Sequence, residues 1–321
     1  MSGPSLSNPL RPVLLAAARS PRLEKTVAGM GLTRKVVDRF VAGEAEPAAV
    51  SAVRDILTTG RFATVDYLGE DTTDPAQATA TVDAYLSLLR SYATLSESIE
   101  TPRPLEVSLK LSALGQSLPG DGAKIALSNA HRIVTAAEEV GAWVTVDAED
   151  HTTTDSTLSI VRTLRRDFPT LGTVLQAYLH RTEADCREFS GPRSRIRLCK
   201  GAYQEPASVA FQKSAEVDAS YLRCLKVLMD GNGYPMVASH DPVMIDAALD
   251  FAKQAKRTSE DFEFQMLYGI RDGEQRRLVA EGNHLRVYIP YGSQWYGYFM
   301  RRLAERPANL MFFMRSLASN D

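Results

Sequence analysis

The fold is decided by a strand–helix unit that is clearest at residues 105–140, which read LEVSLKLSALGQSLPGDGAKIALSNAHRIVTAAEEV. Residues 105–111 form a short apolar run. Residues 125–140 place apolar side chains at the spacing of an amphipathic helix. This stretch therefore predicts a strand followed by a helix.

The same unit recurs along most of the chain. Short runs rich in apolar and β-branched residues predict eight strands, at residues 62–68, 105–111, 143–146, 173–178, 196–199, 236–239, 262–267 and 285–289. Alternating strands and helices favour a parallel sheet covered by helices, and eight repeats favour a closed (β/α)8 barrel of the TIM type. An open doubly wound sheet is the alternative fold. Its GxGxxG signal between a strand and a helix is missing, because Gly29-Met30-Gly31 follows a predicted helix.

The segment before the first strand has a different pattern. Residues 12–59 predict helices, with Val37 and Phe40 at helical spacing. We therefore expect an N-terminal helical segment, residues 1–60, that packs on the barrel, and the barrel itself at residues 61–321.

Composition excludes several classes of protein. The 321 residues are 44% apolar and 24% charged with a net charge of −2, which is typical of a soluble globular protein and gives no reason to expect nucleic-acid binding. Cys186, Cys199 and Cys224 lack a CxxC spacing, as expected of thiols in a reducing cytoplasm. No apolar run approaches the roughly 20 residues that a membrane span needs.

Candidate functional residues lie at or just beyond the carboxyl ends of the predicted strands. A barrel carries its chemistry at the carboxyl ends of its strands. The residues at these predicted ends are Glu70, Lys110, Asp147, Gln176, Arg197 with Lys200, His240, Leu267 and Tyr288. Because polar side chains recur around the ring, the pattern predicts a functional mouth.

A metal site and a Schiff-base lysine are two alternatives to an ion-paired mouth. Asp147, Glu149, Asp150 and His151 could bind a metal, but HxH and HExxH spacings are missing, so we expect ion pairs and no metal. Lys110 or Lys200 could form a Schiff base with a carbonyl substrate, as in a lyase or aldolase.

A last candidate site lies at residues 298–305, Tyr-Phe-Met-Arg-Arg-Leu-Ala-Glu. In a helix, Tyr298, Arg301, Arg302 and Glu305 lie on neighbouring turns. The two arginines point about 100° apart and can hold one anion from two sides. The aromatic residues around them favour a ligand site over a solvated helix.

Several motifs, in this order along the chain, resemble one known family, the proline dehydrogenases. They are Asp66-Tyr67-Leu68-Gly69-Glu70, Ser108-Leu109-Lys110-Leu111-Ser112, Asp147-Ala148-Glu149, Gln176-Ala177-Tyr178, Arg197-Leu198-Cys199-Lys200-Gly201-Ala202-Tyr203, Phe264-Gln265-Met266-Leu267-Tyr268-Gly269, Arg286-Val287-Tyr288-Ile289-Pro290-Tyr291-Gly292 and the helix at 298–305. The likeness runs from about residue 62 to residue 317.

The resemblance implies a distorted barrel that binds FAD non-covalently, with the last helix lying over the mouth. It implies oxidation of L-proline to Δ1-pyrroline-5-carboxylate, the first step of proline catabolism, with hydride passing to the flavin and electrons then to a quinone. The chain length implies the monofunctional form, whose product leaves for a separate pyrroline-5-carboxylate dehydrogenase. A non-catalytic, proline-sensing barrel is a further alternative, although the intact arginine pair, Lys110 and Arg197 argue against lost turnover.

The resemblance also implies roles for individual residues. Arg301, Arg302 and Lys110 hold the substrate carboxylate, with Asp147 paired to Arg302 and Glu70 paired to Arg301 as a gate. The pyrrolidine ring is enclosed by Tyr203, Leu267, Tyr288 and Tyr298. The implied FAD contacts are Gln176, Arg197, Cys199, Lys200, Gly201, Ala202, Gln204, His240 and Glu305, with Arg197 near the reactive flavin nitrogen. Gln204 departs from the tryptophan of the long bifunctional relatives.

The C-terminal segment, residues 309–317, is nearly continuously apolar. Packing against the barrel is the simpler interpretation. Because a quinone resides in the bilayer, the alternative is reversible docking at the inner membrane surface through Phe312 and Phe313, as interfacial helices do.

Overall fold

The computed structural model describes residues 37–96 and 104–305, in which strands and helices alternate. The strands are β1 Phe62–Tyr67, β2 Leu105–Leu109, β3 Trp143–Val146, β4 Gly172–Gln176, β5 Arg195–Cys199, β6 Tyr234–Ala238, β7 Glu263–Leu267 and β8 Leu285–Tyr291. The helices are α1 Glu46–Leu57, α2 Pro75–Ser96, α3 Gly122–Glu139, α4 Thr154–Leu164, α5 Thr182–Phe189, α6 Ser214–Asp230, α7 Pro242–Gln254, α8 Asp272–Ala280 and α9 Trp295–Glu305. A short 3-10 turn, His151–Thr153, precedes α4.

The strands form a closed parallel barrel in chain order, and β8 closes the ring by pairing with β1. The predicted (β/α)8 barrel is therefore confirmed, and the open doubly wound sheet is wrong. Every strand is nearly buried along its whole length, since helices cover the barrel and side chains fill its interior.

Two of the strands that are longer than predicted, β6 and β8, run through a proline. In β6, Tyr234 N–H donates to the Ser194 carbonyl at 2.7 Å, so Pro235 turns its missing N–H towards β7. Pairing with β7 begins only at Met236, so no hydrogen bond is lost there. Pro290 in β8 lies beyond the last pair with β7, Leu267 with Tyr288. Proline is tolerated in a strand where its missing N–H would face no acceptor on a neighbouring strand.

The main core lies between the strands and the helices that surround them. In α3, for example, Ile133, Val134 and Ala137 are buried on the face towards the barrel. Each fully buried aliphatic side chain of this kind stabilises the fold by about 1.5–3 kcal/mol.

A second apolar cluster lies over the carboxyl ends of the strands. It joins Phe40, Leu68 after β1 and Ile270 after β7 to the aromatic face of α9. The backbone of residues 42 and 43 is bonded to β8 and the residue after it, through Ala42 N to Pro290 O at 2.9 Å and Gly292 N to Gly43 O at 3.0 Å. The predicted position of the last helix, over the barrel mouth, is confirmed.

Parts of the predicted organisation lie outside the described residues. These are residues 1–36 and the apolar segment 309–317, so the predicted domain boundary at residue 60 stays a prediction. Within the described ranges, no helix is both long and apolar enough to cross a membrane.

Candidate active site

Lys110 lies at the centre of the mouth, one residue beyond β2, and is buried. Its Nζ is 2.6 Å from Asp66 Oδ2, 3.4 Å from Asp147 Oδ2 and 3.4 Å from Tyr288 Oη. Burial alone would lower the pKa of Lys110, but the two carboxyl groups outweigh it and raise the pKa above its usual value. Lys110 is therefore a permanent cation.

Asp147 follows β3 and joins Lys110 to the barrel interior. Its Oδ1 accepts from Arg197 Nη1 at 2.7 Å and Ser108 Oγ at 2.7 Å, and its Oδ2 accepts from Tyr288 Oη at 2.8 Å. The Arg197 guanidinium also lies 5.3 Å from the centre of the Tyr288 ring. These contacts hold an anion, two cations and a phenol in one rigid group.

Arg197 is anchored from below by charged residues inside the barrel. Its Nη2 donates to Glu106 Oε1 at 2.7 Å, and Arg195 donates to the other oxygen of Glu106 at 2.8 Å. Burial would raise the pKa of Glu106, but Arg195, Arg286 and Arg197 together lower it to about 2. A buried ion pair needs such additional bonds to offset the cost of removing charges from water.

Arg301 and Glu70 form a second cluster at the rim. The guanidinium makes two bonds to the Glu70 carboxylate, at 3.0 and 2.5 Å, and lies 5.8 Å from the centre of the Tyr203 ring. Such parallel bonds are the strongest arrangement of these groups. The predicted contact between Glu70 and Arg301 is observed, and it links α9 to the end of β1.

Arg302 has different surroundings from those predicted. It is buried in α9, with its guanidinium 5.0 Å from the centre of the Tyr298 ring. Asp147 pairs with Arg197 and Lys110 instead of Arg302. The predicted pair with Arg302 is not among the contacts of Asp147 in the described part of the chain.

The predicted ring-enclosing residues surround the same mouth. Leu267 and Tyr288 pack against the apolar cluster of α9 that contains Tyr298, and Tyr203 contacts Arg301. An apolar ring placed between them would meet carbon on several sides and cations at one end.

The predicted cofactor residues lie mainly on the β4, β5 and β6 side. Lys200 Nζ pairs with Asp218 at 2.5 Å and Asp241 at 2.7 Å, and remains about one-third exposed. Gln176 Nε2 donates to the Glu149 carbonyl at 2.8 Å, and His240 Nε2 accepts from Leu267 N–H at 2.9 Å. These side chains form one edge of the mouth.

The loop after β5 lies against Tyr178. Gly201 has φ +113°, and a Cβ there would lie 2.4 Å from the Tyr178 ring, so only glycine fits. Within the described part of the chain, the N–H groups of Gly201 and Ala202 have no acceptor. Cys199 is partly buried and Gln204 is exposed. The side chain of Glu305 lies outside the described residues.

The other residues of the candidate metal cluster have separate partners. Glu149 bonds to Ser112, Asp150 to Thr152, and His151 to Glu205. In the described ranges, no group of three or more potential ligands could hold a metal ion.

Sequence reasoning missed several members of the site. Asp66 is fully buried in β1 and is the nearest partner of Lys110, while Ser112 and the Glu149 carboxyl connect neighbouring loops. A carboxylate within the apolar run of β1 was the available signal for Asp66.

A Schiff-base lyase is disfavoured by these contacts. A lysine must be neutral to attack a carbonyl group, whereas Lys110 is held charged and Lys200 is bonded to two carboxylates. Neither lysine has the surroundings of a nucleophile.

The fold and the site together define a (β/α)8-barrel protein with a charged, aromatic mouth at the carboxyl ends of its strands. The family model for proline dehydrogenase matches residues 49–315. Proline dehydrogenase of Deinococcus radiodurans is 39% identical over 96% of this chain and 97% of its own length. Proline dehydrogenase 1 of Bacillus subtilis strain 168 is 37% identical over 96% of this chain and 99% of its own. The chain therefore belongs to the proline dehydrogenase family, oxidoreductases of proline catabolism.

Solved structures agree with this assignment. Proline utilization A from Bdellovibrio bacteriovorus superposes with a TM-score of 0.77 at 25% identity, over 84% of this chain. That of Bradyrhizobium japonicum has a TM-score of 0.72 at 21% identity, which supports the fold. This chain spans only about a third of the length of either, 32% and 33%.

Proposed function

We propose that this protein oxidises L-proline to Δ1-pyrroline-5-carboxylate with FAD as its cofactor. One observation supports the proposal most directly. The buried ammonium of Lys110 and the arginine-bearing helix α9 lie at the same barrel mouth, which aromatic side chains line. Proline has one carboxylate, one amine and an apolar ring. A site for it needs cations at one end and apolar walls around the rest.

The residues at the mouth fit a flavin nucleotide in their chemistry. A flavin nucleotide offers a flat ring with polar edges and a diphosphate. Among the described residues, the Gly201 and Ala202 N–H groups have no acceptor, and the ammonium of the preceding residue, Lys200, is partly exposed. We assign these groups to the phosphates, and Gln176 and Arg197 to the polar edge of the ring. When bound, FAD would accept a hydride, which is two electrons and one proton, from proline. The electrons would then pass to a quinone.

The substrate roles rest on charge and enclosure. Arg301, Arg302 and Lys110 are assigned to the carboxylate, which fixes the direction of the proline ring. Tyr203, Leu267, Tyr288 and Tyr298 are assigned to the ring faces, where they exclude water. Holding the carbon beside the amine in one orientation is how positioning lowers the barrier to oxidation.

Glu70 is assigned as a gate. Its bond to Arg301 spans the rim between β1 and α9. A substrate carboxylate would compete with Glu70 for the same guanidinium, so entry and closure are coupled through that pair.

An absorption measurement tests the proposal. We expect the purified protein to show a flavin spectrum that bleaches when proline is added without oxygen, and to regain its colour with a soluble quinone. A flavin spectrum unchanged by proline would favour a proline-sensing barrel. A colourless protein that borohydride traps as an adduct with a carbonyl compound would favour a lyase.

The proposed quinone acceptor and the proposed product determine which partners we expect. We propose a cytoplasmic protein that visits the inner membrane surface to meet its quinone, and a separate dehydrogenase that consumes the product. The candidate docking segment, 309–317, lies outside the described residues. Co-sedimentation with anionic vesicles should be weak, salt-sensitive and lost in the Phe312→Ser/Phe313→Ser variant. Equal sedimentation of both proteins would contradict docking through these side chains.

A further inference from the structure

Ser112 ties three loops of the mouth together. It follows β2, is 1% exposed, and donates its N–H to Glu149 Oε1 at 3.0 Å and its hydroxyl to the other oxygen of Glu149. Its Oγ accepts from Asp71 N–H at 2.9 Å, and its carbonyl accepts from Thr72 N–H at 3.3 Å. The loops after β1, β2 and β3 therefore meet at one buried side chain.

The β1 loop depends on these bonds for its shape. Asp71 has φ +51°, a left-handed conformation that non-glycine residues seldom adopt. The neighbouring residue is Glu70, whose carboxylate pairs with Arg301. Bonds that hold Asp71 in this conformation therefore also fix where Glu70 meets Arg301.

Glu149 is the acidic end of this chain of bonds. It is 6% exposed, and burial raises its pKa from 4.5 to about 7, although the Ser112 bonds oppose the shift. Glu70 raises the pKa further and Lys110 lowers it. The other titratable groups nearby are Tyr203 on the β5 loop, Asp147, and Asp150 and His151, which bond to Thr152 and Glu205.

We propose that Glu149 is a positioning residue for the Glu70–Arg301 pair, acting through Ser112 and Asp71, and that it couples carboxylate binding at the mouth to proton uptake. The inference rests on the proposed function, since it takes the substrate carboxylate to bind at Arg301.

The direction of the coupling follows from the contacts. A neutral Glu149 keeps both bonds, because its carbonyl oxygen accepts from Ser112 N–H and its O–H donates to Ser112 Oγ. An ionised Glu149 adds a negative charge beside Glu70 and the incoming carboxylate. Binding of an anion therefore favours the neutral form, and by reciprocity the neutral form binds the anion more tightly.

The test uses cyclopentanecarboxylate, which has the ring and carboxylate of proline but no amine to titrate. Its dissociation constant is measured from the flavin absorption change between pH 6 and pH 8.5. Wild-type protein should bind it about fivefold or more weakly at the high end, the lower limit of typical coupling between sites. Glu149→Gln, which imitates the neutral acid, should bind with little pH dependence, whereas the exposed control Glu188→Gln should match wild type.

A second measurement needs no variant. Calorimetry of the same ligand at pH 7, in two buffers of different ionisation enthalpy, should show uptake of a fraction of a proton by the wild-type protein. Zero uptake, or equal pH dependence in wild type and Glu149→Gln, overturns the inference and leaves the carboxylate site intact. If the ligand fails to bind at every pH, the proposed function falls and this inference with it.

Discussion

At the scale of single residues, two adjacent arginines have separate tasks. Arg301 faces the Glu70 carboxylate at the rim, while Arg302 is buried against the Tyr298 ring. Both can reach an anion from α9, but from directions about 100° apart around the helix. Each is therefore expected to contribute separately to carboxylate binding.

Replacing Arg301 or Arg302 by alanine should remove most proline binding and leave flavin bound. Truncating one partner of a desolvated, hydrogen-bonded charge pair costs about 2–5 kcal/mol, or roughly 30-fold to several thousand-fold in affinity. Titration of the flavin spectrum with proline gives the affinity. Arg187→Ala is the control, because its pair with Glu183 is 62% exposed on the arginine side. A near-normal affinity in either test variant would contradict the carboxylate assignment.

Asp66→Asn should destabilise the protein through Lys110. Removing one partner of a buried pair typically costs about 3–5 kcal/mol. We expect about 2 kcal/mol here, since asparagine keeps an acceptor and Asp147 remains 3.4 Å from the ammonium. Urea unfolding measures the loss. The matched control is Asp121→Asn, whose partner Lys124 is 83% exposed, and a similar loss in both variants would exclude a special role for Asp66.

The residues found from sequence share one property, and those missed lack it. Lys110 and Asp147 were predicted because they lie at the carboxyl ends of predicted strands, where a barrel carries its functional side chains. Asp66 lies within a run, and only the closed barrel shows that it points towards Lys110. The predicted Asp147–Arg302 pair has the same origin, since the sequence does not give the distance between α9 and the barrel interior.

At the scale of elements, the loop after β5 depends on close backbone packing. Gly201→Ala should disturb it more than a positive φ alone would, because the new Cβ would lie 2.4 Å from the Tyr178 ring. Gly120→Ala is the control, since Gly120 has φ +75° but open space around it. The control should lose about 1–2 kcal/mol. Gly201→Ala should lose more stability and also flavin content, and equal losses would show that the clash is relieved elsewhere.

The strands were predictable from periodicity, and their ends were not. Runs of apolar residues predicted all eight, but β6 and β8 include prolines, Pro235 and Pro290, that lie outside the predicted bounds. Whether a proline ends a strand depends on whether a neighbour needs its N–H group. That depends on the register of the barrel, which the sequence alone does not supply.

At the scale of the whole molecule, the barrel interior is charged instead of apolar. Branched apolar side chains fill most barrels of this type, whereas this one buries Lys110, Arg195, Arg197 and Arg286 against Asp66, Glu106, Asp147 and Glu263. The charges balance, four against four, and each of these side chains forms an ion pair with at least one other of them. This network fixes Arg197 and Lys110 through ion pairs with buried carboxylates.

Two buried carboxyl groups give stability opposite pH dependences. The pKa of Glu106 is lowered from 4.5 to about 2, so its contribution is present above pH 4.5 and is lost as pH falls towards 2. The pKa of Glu149 is raised from 4.5 to about 7, so its contribution is present below pH 4.5 and is lost as pH rises through 7.

Glu149→Gln should therefore stabilise the protein relative to wild type increasingly as pH rises from 4.5 through 7. A shift from 4.5 to about 7 corresponds to about 3 kcal/mol between the two protonation states. Glutamine cannot ionise, so the variant avoids this loss. Urea unfolding at pH 5 and pH 8.5 should give equal free energies for wild type and variant at pH 5, and a more stable variant at pH 8.5. A variant that is less stable by the same amount at both pH values would mean that Glu149 acts through its hydrogen bonds alone.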